Sequence, residues 1–389
     1  MVRQAWATLA LVVASTVVGL MGTDLVLPAV PLLPEALGAG APAAQLVLAA
    51  YVGGTCVGLL AFGALSERYP TRRLFVGSLA ATALVSLACA AARSIEALIA
   101  LRALHGAVSA APAVFAPAVV KALFDEQRAV RAMGLLGSIE SLAPALAPIA
   151  GAGLLLIGDW RLSFFVLAVV AGALALTAAL AGRIPQVGRR AQGGYAALLR
   201  DATFLRYALS QAFVLGGLLV FVFGLPAVMV RVLGGTLGDF ILVQPVAILL
   251  FIASANMSAR VVARLGTERT ILLGTALCVV GSTGQLAYAL AGSSAPLVIL
   301  ALFAPVNIGL GLRGPPGFYR AVVVARGDDA RGSALVVLAI LGVAAIGTAL
   351  ASPFIERGTV PLAGIALGLH AAALLCLVAL PALTTNEAA

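Results

Sequence analysis

Charged side chains inside apolar runs are the residues of this sequence best placed to do chemistry. Asp24 and Arg102 are two of them, in a chain that is 62% hydrophobic and only 10% charged. If one helix ends near Leu33 and another begins near Glu96, a rise of 1.5 Å per residue places both side chains about 9–13 Å below the same membrane surface. Ionised groups in hydrocarbon are costly and normally have partners. We therefore predict an Asp24–Arg102 pair in which Asp24 alternates between a proton and a cation or substrate; a static ion pair is the alternative.

Glu140 and the two histidines are further candidates for proton transfer. Glu140 lies in another apolar run, where it is a candidate proton carrier, a contact for a cationic substrate, or a partnered structural carboxyl. His105 is one turn from Arg102 on the same helix face, so it could relay protons or simply line a polar surface. We expect His370 to serve packing and Arg313 to anchor a helix end at the membrane interface.

The elements that carry these residues are apolar runs of about 20 residues, each long enough to cross a bilayer as a helix. The chain has 389 residues and a mean hydropathy of +1.12. We expect an all-α membrane protein, because lipid cannot satisfy a broken backbone. Twelve transmembrane helices are predicted: 8–33, 42–62, 74–92, 96–120, 134–157, 162–182, 207–230, 239–258, 270–291, 295–314, 333–355 and 362–382.

The positions of Lys and Arg predict the orientation of these spans. Most of the 24 basic residues fall in alternate loops, whereas Arg93, Arg161, Arg231 and Arg357 fall in the opposite set. Cytoplasmic loops carry the excess of Lys and Arg, so both termini are predicted to be cytoplasmic. The net charge of +9 is thereby explained without a nucleic-acid partner.

The spans divide into two pseudo-symmetric six-helix bundles. The predicted domains are 1–182, a cytoplasmic linker 183–206 that includes a short helix along the membrane surface, and 207–389. "RYPTRR" follows the second span and "RLGTER" follows the eighth, at the same structural place in each half. Such an internal repeat is typical of transporter halves.

The stretch Gly63-Ala-Leu-Ser-Glu67-Arg68-Tyr-Pro-Thr-Arg72-Arg73 resembles the signature loop of the major facilitator superfamily. The resemblance implies a conformational latch, in which a carboxylate near a helix N-terminus and several cations form contacts in one state and release them in another. Pro70 stands where the family usually has Gly, so we expect a stiffer loop. The latch residues are Gly63, Glu67, Arg68, Arg72 and Arg73.

Further stretches are similar to the twelve-span drug:proton antiporters, especially the bicyclomycin/chloramphenicol-resistance-like branch. These stretches are "TDLVLPAVP", "QLVLAAYVGG", "LRALHGAVSAAP" and "GSIESLAPALAPIAGAG". In the last, small residues and prolines lie at three- to four-residue spacing and permit close, bent packing. We expect this face to move against a C-terminal helix, most plausibly the eighth. Its gating residues are Gly137, Ser141, Pro144, Pro148 and Gly151.

The resemblance implies a proton-coupled exporter of small amphipathic, drug-like molecules that works by alternating access in the bacterial inner membrane. A dedicated exporter of one endogenous metabolite or metallophore is the alternative, followed by an uptake symporter. Small molecules, protons and lipid are the expected partners of a monomer, with no cofactor or metal. An intramembrane hydrolase lacks a G-x-S-x-G partner for its histidines, so no enzyme is expected; a nontransporting receptor on the same fold remains open.

Overall fold

The computed structural model describes residues 2–39, 41–180, 184–187, 194–231, 237–292 and 295–383, and within these ranges it contains helices and turns but no strand. The α-helices are α1 (Val2–Asp24), α2 (Leu33–Leu37), α3 (Ala41–Leu65), α4 (Thr71–Ala90), α5 (Ile95–Ser109), α6 (Ala111–Leu123), α7 (Glu126–Leu155), α8 (Arg161–Leu180), α9 (Gly194–Leu198), α10 (Ala202–Arg231), α11 (Leu237–Leu265), α12 (Thr267–Leu290), α13 (Pro296–Val324), α14 (Asp329–Ala351) and α15 (Val360–Ala379). Two 3-10 helices, Leu27–Leu32 and Ser352–Arg357, follow α1 and α14.

Every predicted span falls on one or two of these helices. In the described residues, eleven segments are long and apolar enough to cross a membrane. The predicted tenth span lies outside that set and coincides with α13, a helix of 29 residues, which is about 44 Å long at 1.5 Å per residue. The all-α membrane architecture is therefore confirmed.

Local sequence explains where several helices begin. The Ser94 hydroxyl accepts a hydrogen bond from Ala97 N at 3.2 Å and caps α5. Asp125 accepts one from Arg128 N at 2.9 Å before α7, and Asp201 accepts one from Thr203 N at 2.8 Å before α10. Such side chains satisfy N–H groups that a helix leaves unpaired in its first turn.

The described part of the predicted linker is attached to the start of α4. Gln186 Oε1 accepts a hydrogen bond from Thr71 N at 3.0 Å, and Val187 N donates to the Thr71 hydroxyl at 2.9 Å. The expected short helix is α9, five residues long. Linker residues 183 and 188–193 lie outside the described ranges.

Contacts divide the chain into two compact units. The first unit contains Met1–Phe124, Ile139–Gly194 and Arg326–Ala334, and the second contains Asp125–Ser138, Tyr195–Ala325 and Leu335–Ala389. The N-terminal turns of α7 therefore belong to the second unit. The N-terminal turns of α14 belong to the first unit. In both cases a helix begins in one unit and ends in the other.

Glycines allow helices within each unit to approach closely. A Cβ on Gly54 of α3 would overlap the carbonyl oxygen of Ala103 on α5, and a Cβ on Gly106 would overlap the carbonyl oxygen of Tyr51. In the second unit, Gly274 and Gly309 bring α12 and α13 together in the same way. Small residues at such positions let helix backbones pack where lipid supplies no hydrophobic driving force.

Gly54→Ala should destabilise the protein by about 1–3 kcal/mol, because the added methyl group must push α3 away from α5. The adjacent Gly53 is a matched control, since a Cβ there has no atom within 4 Å. Gly53→Ala should be neutral or slightly stabilising, as alanine favours a helix. Thermal unfolding of the purified protein in detergent measures both. Equal unfolding temperatures for the two variants would contradict close packing at Gly54.

Candidate functional site

A fully buried cation lies at the centre of the first unit. Arg102 on α5 donates from Nε to the carbonyl oxygen of Val47 at 3.3 Å, and its Nη1 lies 3.1 Å from His105 Nδ1. Its guanidinium carbon lies 4.2 Å from the centroid of the Tyr51 ring. A carbonyl dipole, an imidazole and an aromatic face each favour a cation, so together they reduce the cost of burying it.

The partners of Arg102 are themselves held in place. His105 Nε2 lies 3.0 Å from the Ser86 hydroxyl on α4. The Tyr51 hydroxyl donates to Gly19 O at 2.6 Å and lies 2.8 Å from the Ser109 hydroxyl. This buried polar cluster joins α1, α3, α4 and α5 through hydrogen bonds. It also gives His105 defined partners on both ring nitrogens.

The predicted Asp24–Arg102 ion pair is wrong for this conformation. Asp24 is the last residue of α1, and no ion pair within 4.0 Å joins it to a cation of the described chain. Arg102 instead turns towards α3 and His105. A similar position along two helices, counted from the sequence, does not fix the direction in which each side chain points.

Glu140 lies beside a hydroxyl. Its carboxyl is next to the Thr16 side chain of α1, whose hydroxyl donates to Val13 O at 2.8 Å. No cation of the described residues lies within 4.0 Å of this carboxyl. Both membrane carboxyls, Asp24 and Glu140, therefore belong to the first unit and neither is neutralised by an arginine or lysine there.

The predicted gating face of α7 meets two different neighbours. Towards its N-terminal end, a Cβ on Gly137 would lie 3.6 Å from Phe251 on α11, which is the predicted eighth span. At the other end, a Cβ on Gly151 would overlap the carbonyl oxygen of Leu25, just after α1. Between them, Ser141, Pro144 and Pro148 lie within one continuous helix. Its 30 residues span about 45 Å, so its ends reach different helices.

The predicted latch loop makes an ion pair. Glu67 Oε2 accepts a hydrogen bond from Arg331 Nη2 at 2.5 Å, and Arg331 Nη1 donates to Asp328 at 3.1 Å. Burial raises the pKa of the Asp328 carboxyl, and the bond from Arg331 acts against that shift. The Ser66 hydroxyl donates to Gly63 O at 2.7 Å and tightens the end of α3. The carboxylate of Glu67 is thus fixed beside the first turn of α14.

The three arginines of the predicted latch loop have different surroundings. Arg68 and Arg73 are exposed, and Arg72 donates from Nη2 to the carbonyl oxygen of Ala179 at the end of α8. A second ion pair, Lys121–Asp329 at 2.8 Å, lies in the same unit. Sequence reasoning missed Asp328, Asp329 and Arg331, although "GDDAR" is a dense charge cluster between two spans.

The second unit contains a comparable carboxylate cluster. Glu126, at the start of α7, accepts a hydrogen bond from the Thr267 hydroxyl at 2.7 Å and lies 2.9 Å from Arg320. Thr267 occupies the place in "RLGTER" that Thr71 occupies in "RYPTRR". Glu268 of the same loop pairs with Arg206 at 3.0 Å. Both repeat loops therefore hold carboxylates and cations at helix ends.

Arg313 corrects another expectation. It is fully buried rather than at a membrane interface, and it donates to Ser210 O at 3.0 Å and to the Ser210 hydroxyl at 3.1 Å. The helix continues past the predicted span end to Val324, so Arg313 lies well inside α13. His370 is also buried, 2.6 Å from the Ser282 hydroxyl and 3.1 Å from Val214 O.

The described residues contain no group of three or more His, Cys, Asp or Glu side chains arranged to hold a metal ion. The cysteines Cys56, Cys89, Cys278 and Cys376 are free thiols.

Tyr51→Phe should destabilise the protein by about 1–3 kcal/mol, because it leaves buried groups of Gly19 and Ser109 without their partner. Tyr69→Phe is the matched control: Tyr69 is 50% exposed in the latch loop, and its loss should change stability by less than about 0.5 kcal/mol. Thermal unfolding in detergent distinguishes them. A Tyr51→Phe protein as stable as wild type would show that the hydroxyl contributes nothing to the buried cluster.

The chain is similar in sequence to known membrane transport and resistance proteins. A family model described as Major Facilitator Superfamily matches residues 12–342. A chloramphenicol resistance protein from Pseudomonas aeruginosa is 30% identical over 269 residues, which cover 67% of this chain and 64% of that protein. A bicyclomycin resistance protein homolog from Haemophilus influenzae is 24% identical over 264 residues, which cover 66% of each. The chain spans slightly less than two thirds of the length of these curated relatives.

The fold is also that of solved transporters. The crystal structure of FucP in the outward conformation has a TM-score of 0.77 at 16% identity, covering 97% of this chain and 99% of that one. A bacterial homologue of the iron transporter ferroportin, in an outward-facing state, has a TM-score of 0.74 at 16% identity, with coverage of 95% and 98%. The family model matches most of the chain, and we conclude that this multi-pass membrane protein belongs to the Major Facilitator Superfamily.

Proposed function

We propose that this protein is a secondary active transporter that exports small amphipathic, drug-like molecules in exchange for protons. The observation that carries the proposal is the pair of membrane carboxyls, Asp24 and Glu140, that no cation of the described chain neutralises. A carboxyl in such a place can bind and release a proton as its surroundings change from dry to wet. Proton entry down the membrane potential supplies about 2.3 kcal/mol per charge per 100 mV.

The substrate class rests on the relatives. Two of them are named for resistance to chloramphenicol and bicyclomycin, and another from Acinetobacter baumannii is named for chloramphenicol resistance. The spans of this chain are dominated by Ala, Val, Leu and Phe. An apolar surface with few charges suits amphipathic molecules better than sugars, whose hydroxyl groups require many hydrogen-bonding partners.

Alternating access is proposed to occur between the six-helix bundles 1–182 and 207–389, joined by the linker 183–206. The Glu67–Arg331 pair supports this proposal, because it joins the end of α3 to the first turn of α14, a helix that begins in the first compact unit and ends in the second. Such a pair can stabilise one conformation and break in the other. We further propose that the protein is a monomer in the bacterial inner membrane; the loop charges favour an orientation with both termini in the cytoplasm.

Expression in a host that lacks its own pumps should raise the inhibitory concentration of chloramphenicol. Glu140→Gln and Asp24→Asn should each remove at least about nine tenths of proton-driven export in proteoliposomes, a change worth 1.4 kcal/mol or more, because neither variant can exchange a proton at that site. Glu35→Gln, an exposed carboxyl after α1, is the matched control and should export normally.

Two results would contradict the proton-coupled mechanism. One is wild-type export that does not depend on an imposed pH gradient. The other is normal export by the double variant Asp24→Asn with Glu140→Gln at normal membrane levels. Loss of export in the Glu35→Gln control would show instead that carboxyl substitutions disturb the protein generally.

Glu67→Gln should slow export roughly fivefold, because a partly exposed ion pair contributes about 1 kcal/mol; the Glu67 side chain is 44% exposed. Arg331→Gln should have a similar effect, and the double variant should be no slower than either single one. Arg68→Gln, an exposed cation of the same loop, is the control. Initial export rates in proteoliposomes measure the effect. Additive slowing in the double variant would rule out the latch.

A further inference from the structure

Each compact unit holds one fully buried arginine, Arg102 in the first and Arg313 in the second. Arg102 has an imidazole and an aromatic ring beside it. Arg313 is bonded only to the carbonyl and hydroxyl oxygens of Ser210. No ion pair within 4.0 Å joins it to a carboxylate of the described residues. A cation buried without an opposite charge is a large electrostatic cost.

Several polar atoms around Arg313 are unsatisfied. Its Nε atom is buried without a hydrogen-bond partner, and so is the Oε1 atom of Gln211, on the same helix as Ser210. A guanidinium has five N–H donors, and a carboxylate binds two of them side by side. Nε and an adjacent Nη atom form one such edge. The unused Nε donor therefore leaves a carboxylate-binding edge incomplete.

Glycine lets the backbone of α13 pass close to this edge. A Cβ on Gly317 would lie 3.0 Å from Arg313 Nη2 and 3.0 Å from Gln211 Oε1. The guanidinium and the amide thus border the same small space on α13, which carries no side chain at that point. Gly314, nearly one turn earlier, has only Gln211 Nε2 near its missing Cβ, at 4.0 Å. Both positions keep side-chain bulk away from the charged group.

A purely structural role explains these contacts incompletely. Ser210 satisfies two donors of Arg313, as a neutral glutamine or a hydroxyl could do without the cost of a buried charge. An intramembrane cation is retained most readily where it has a charged partner or a pathway to serve. The second unit provides no such partner among the described residues within 4.0 Å of Arg313. The described residues thus leave this cation without a counter-charge within 4.0 Å.

We propose that Arg313, with the Nε2 donor of Gln211, recognises the anionic group of the transported molecule, so that the protein prefers amphipathic organic acids over neutral compounds of the same shape. This inference rests on the proposed export function and names its substrate class. The anion would bind the Nε edge of the guanidinium in a conformation that opens this surface to water. Arginine suits the task better than lysine, because its planar fork matches a carboxylate.

The test compares fusidate, an amphipathic carboxylate, with its methyl ester, using purified full-length protein and isothermal titration calorimetry. Wild type should bind fusidate at least about tenfold more tightly than the ester, a difference of about 1.4 kcal/mol. Arg313→Gln should abolish this preference by weakening fusidate binding alone. Arg313→Lys should retain part of it. Unfolding temperatures in detergent show whether each variant is folded.

Gly317→Ala is a second variant that keeps the cation and places a methyl group in the adjacent space. It should weaken fusidate binding at least about threefold with little effect on the ester, or about 0.7 kcal/mol. Gly342→Ala, where a Cβ has no atom within 4 Å, is the matched control and should change neither. If Arg313→Gln does not fold, the comparison of Gly317→Ala with Gly342→Ala tests anion recognition by Arg313.

Equal wild-type affinity for the acid and the ester would overturn anion recognition, as would no fusidate binding at all. Parallel weakening of both ligands in the Gly317→Ala protein would also overturn it. Chloramphenicol–proton exchange by the same preparation tests the proposed function separately. Exchange without an acid preference refutes only the anion site, whereas an acid preference without exchange refutes proton-coupled export and leaves the site in place.

Discussion

A positive charge inside an apolar helix bundle must be satisfied by the chain around it, and the first unit is organised by this requirement. Arg102 reaches the backbone of α3 at Val47 because α3 and α5 are close enough for their backbones to touch. Gly54 and Gly106 make that approach possible. These two glycines, which have no functional side chain, therefore control whether the buried charge can be accommodated.

The same requirement separates what sequence can predict from what it cannot. Apolar length and the positions of arginine predict the spans well, since crossing a bilayer demands a continuous satisfied backbone. The depth counted for Asp24 assumed one continuous helix to Leu33, whereas α1 ends at Asp24 itself. The direction of a side chain depends on neighbouring helices. Counting residues could not show that Arg102 turns towards Val47 and His105 rather than Asp24.

Helix ends explain the misjudged position of Arg313. The predicted tenth span ended one residue after it, which suggested an anchor at the membrane surface. The helix instead continues to Val324 through Pro315 and Pro316, so the arginine is enclosed by its neighbours. The latch loop shows a related limit. Its motif placed Glu67 near a helix N-terminus, but that its partner is Arg331, distant in sequence, required the three-dimensional arrangement.

The bonds between Thr71 and residues 186–187 change how the connection between the halves should be regarded. Gln186 supplies the acceptor that the first N–H group of α4 needs, and Val187 bonds to the same threonine hydroxyl. Because residues 186–187 are bonded to Thr71, this segment is not a freely moving connection. A force that pulls on it acts directly on the first turn of α4. Lengthening or cutting this segment would therefore uncap a transmembrane helix as well as loosen two domains.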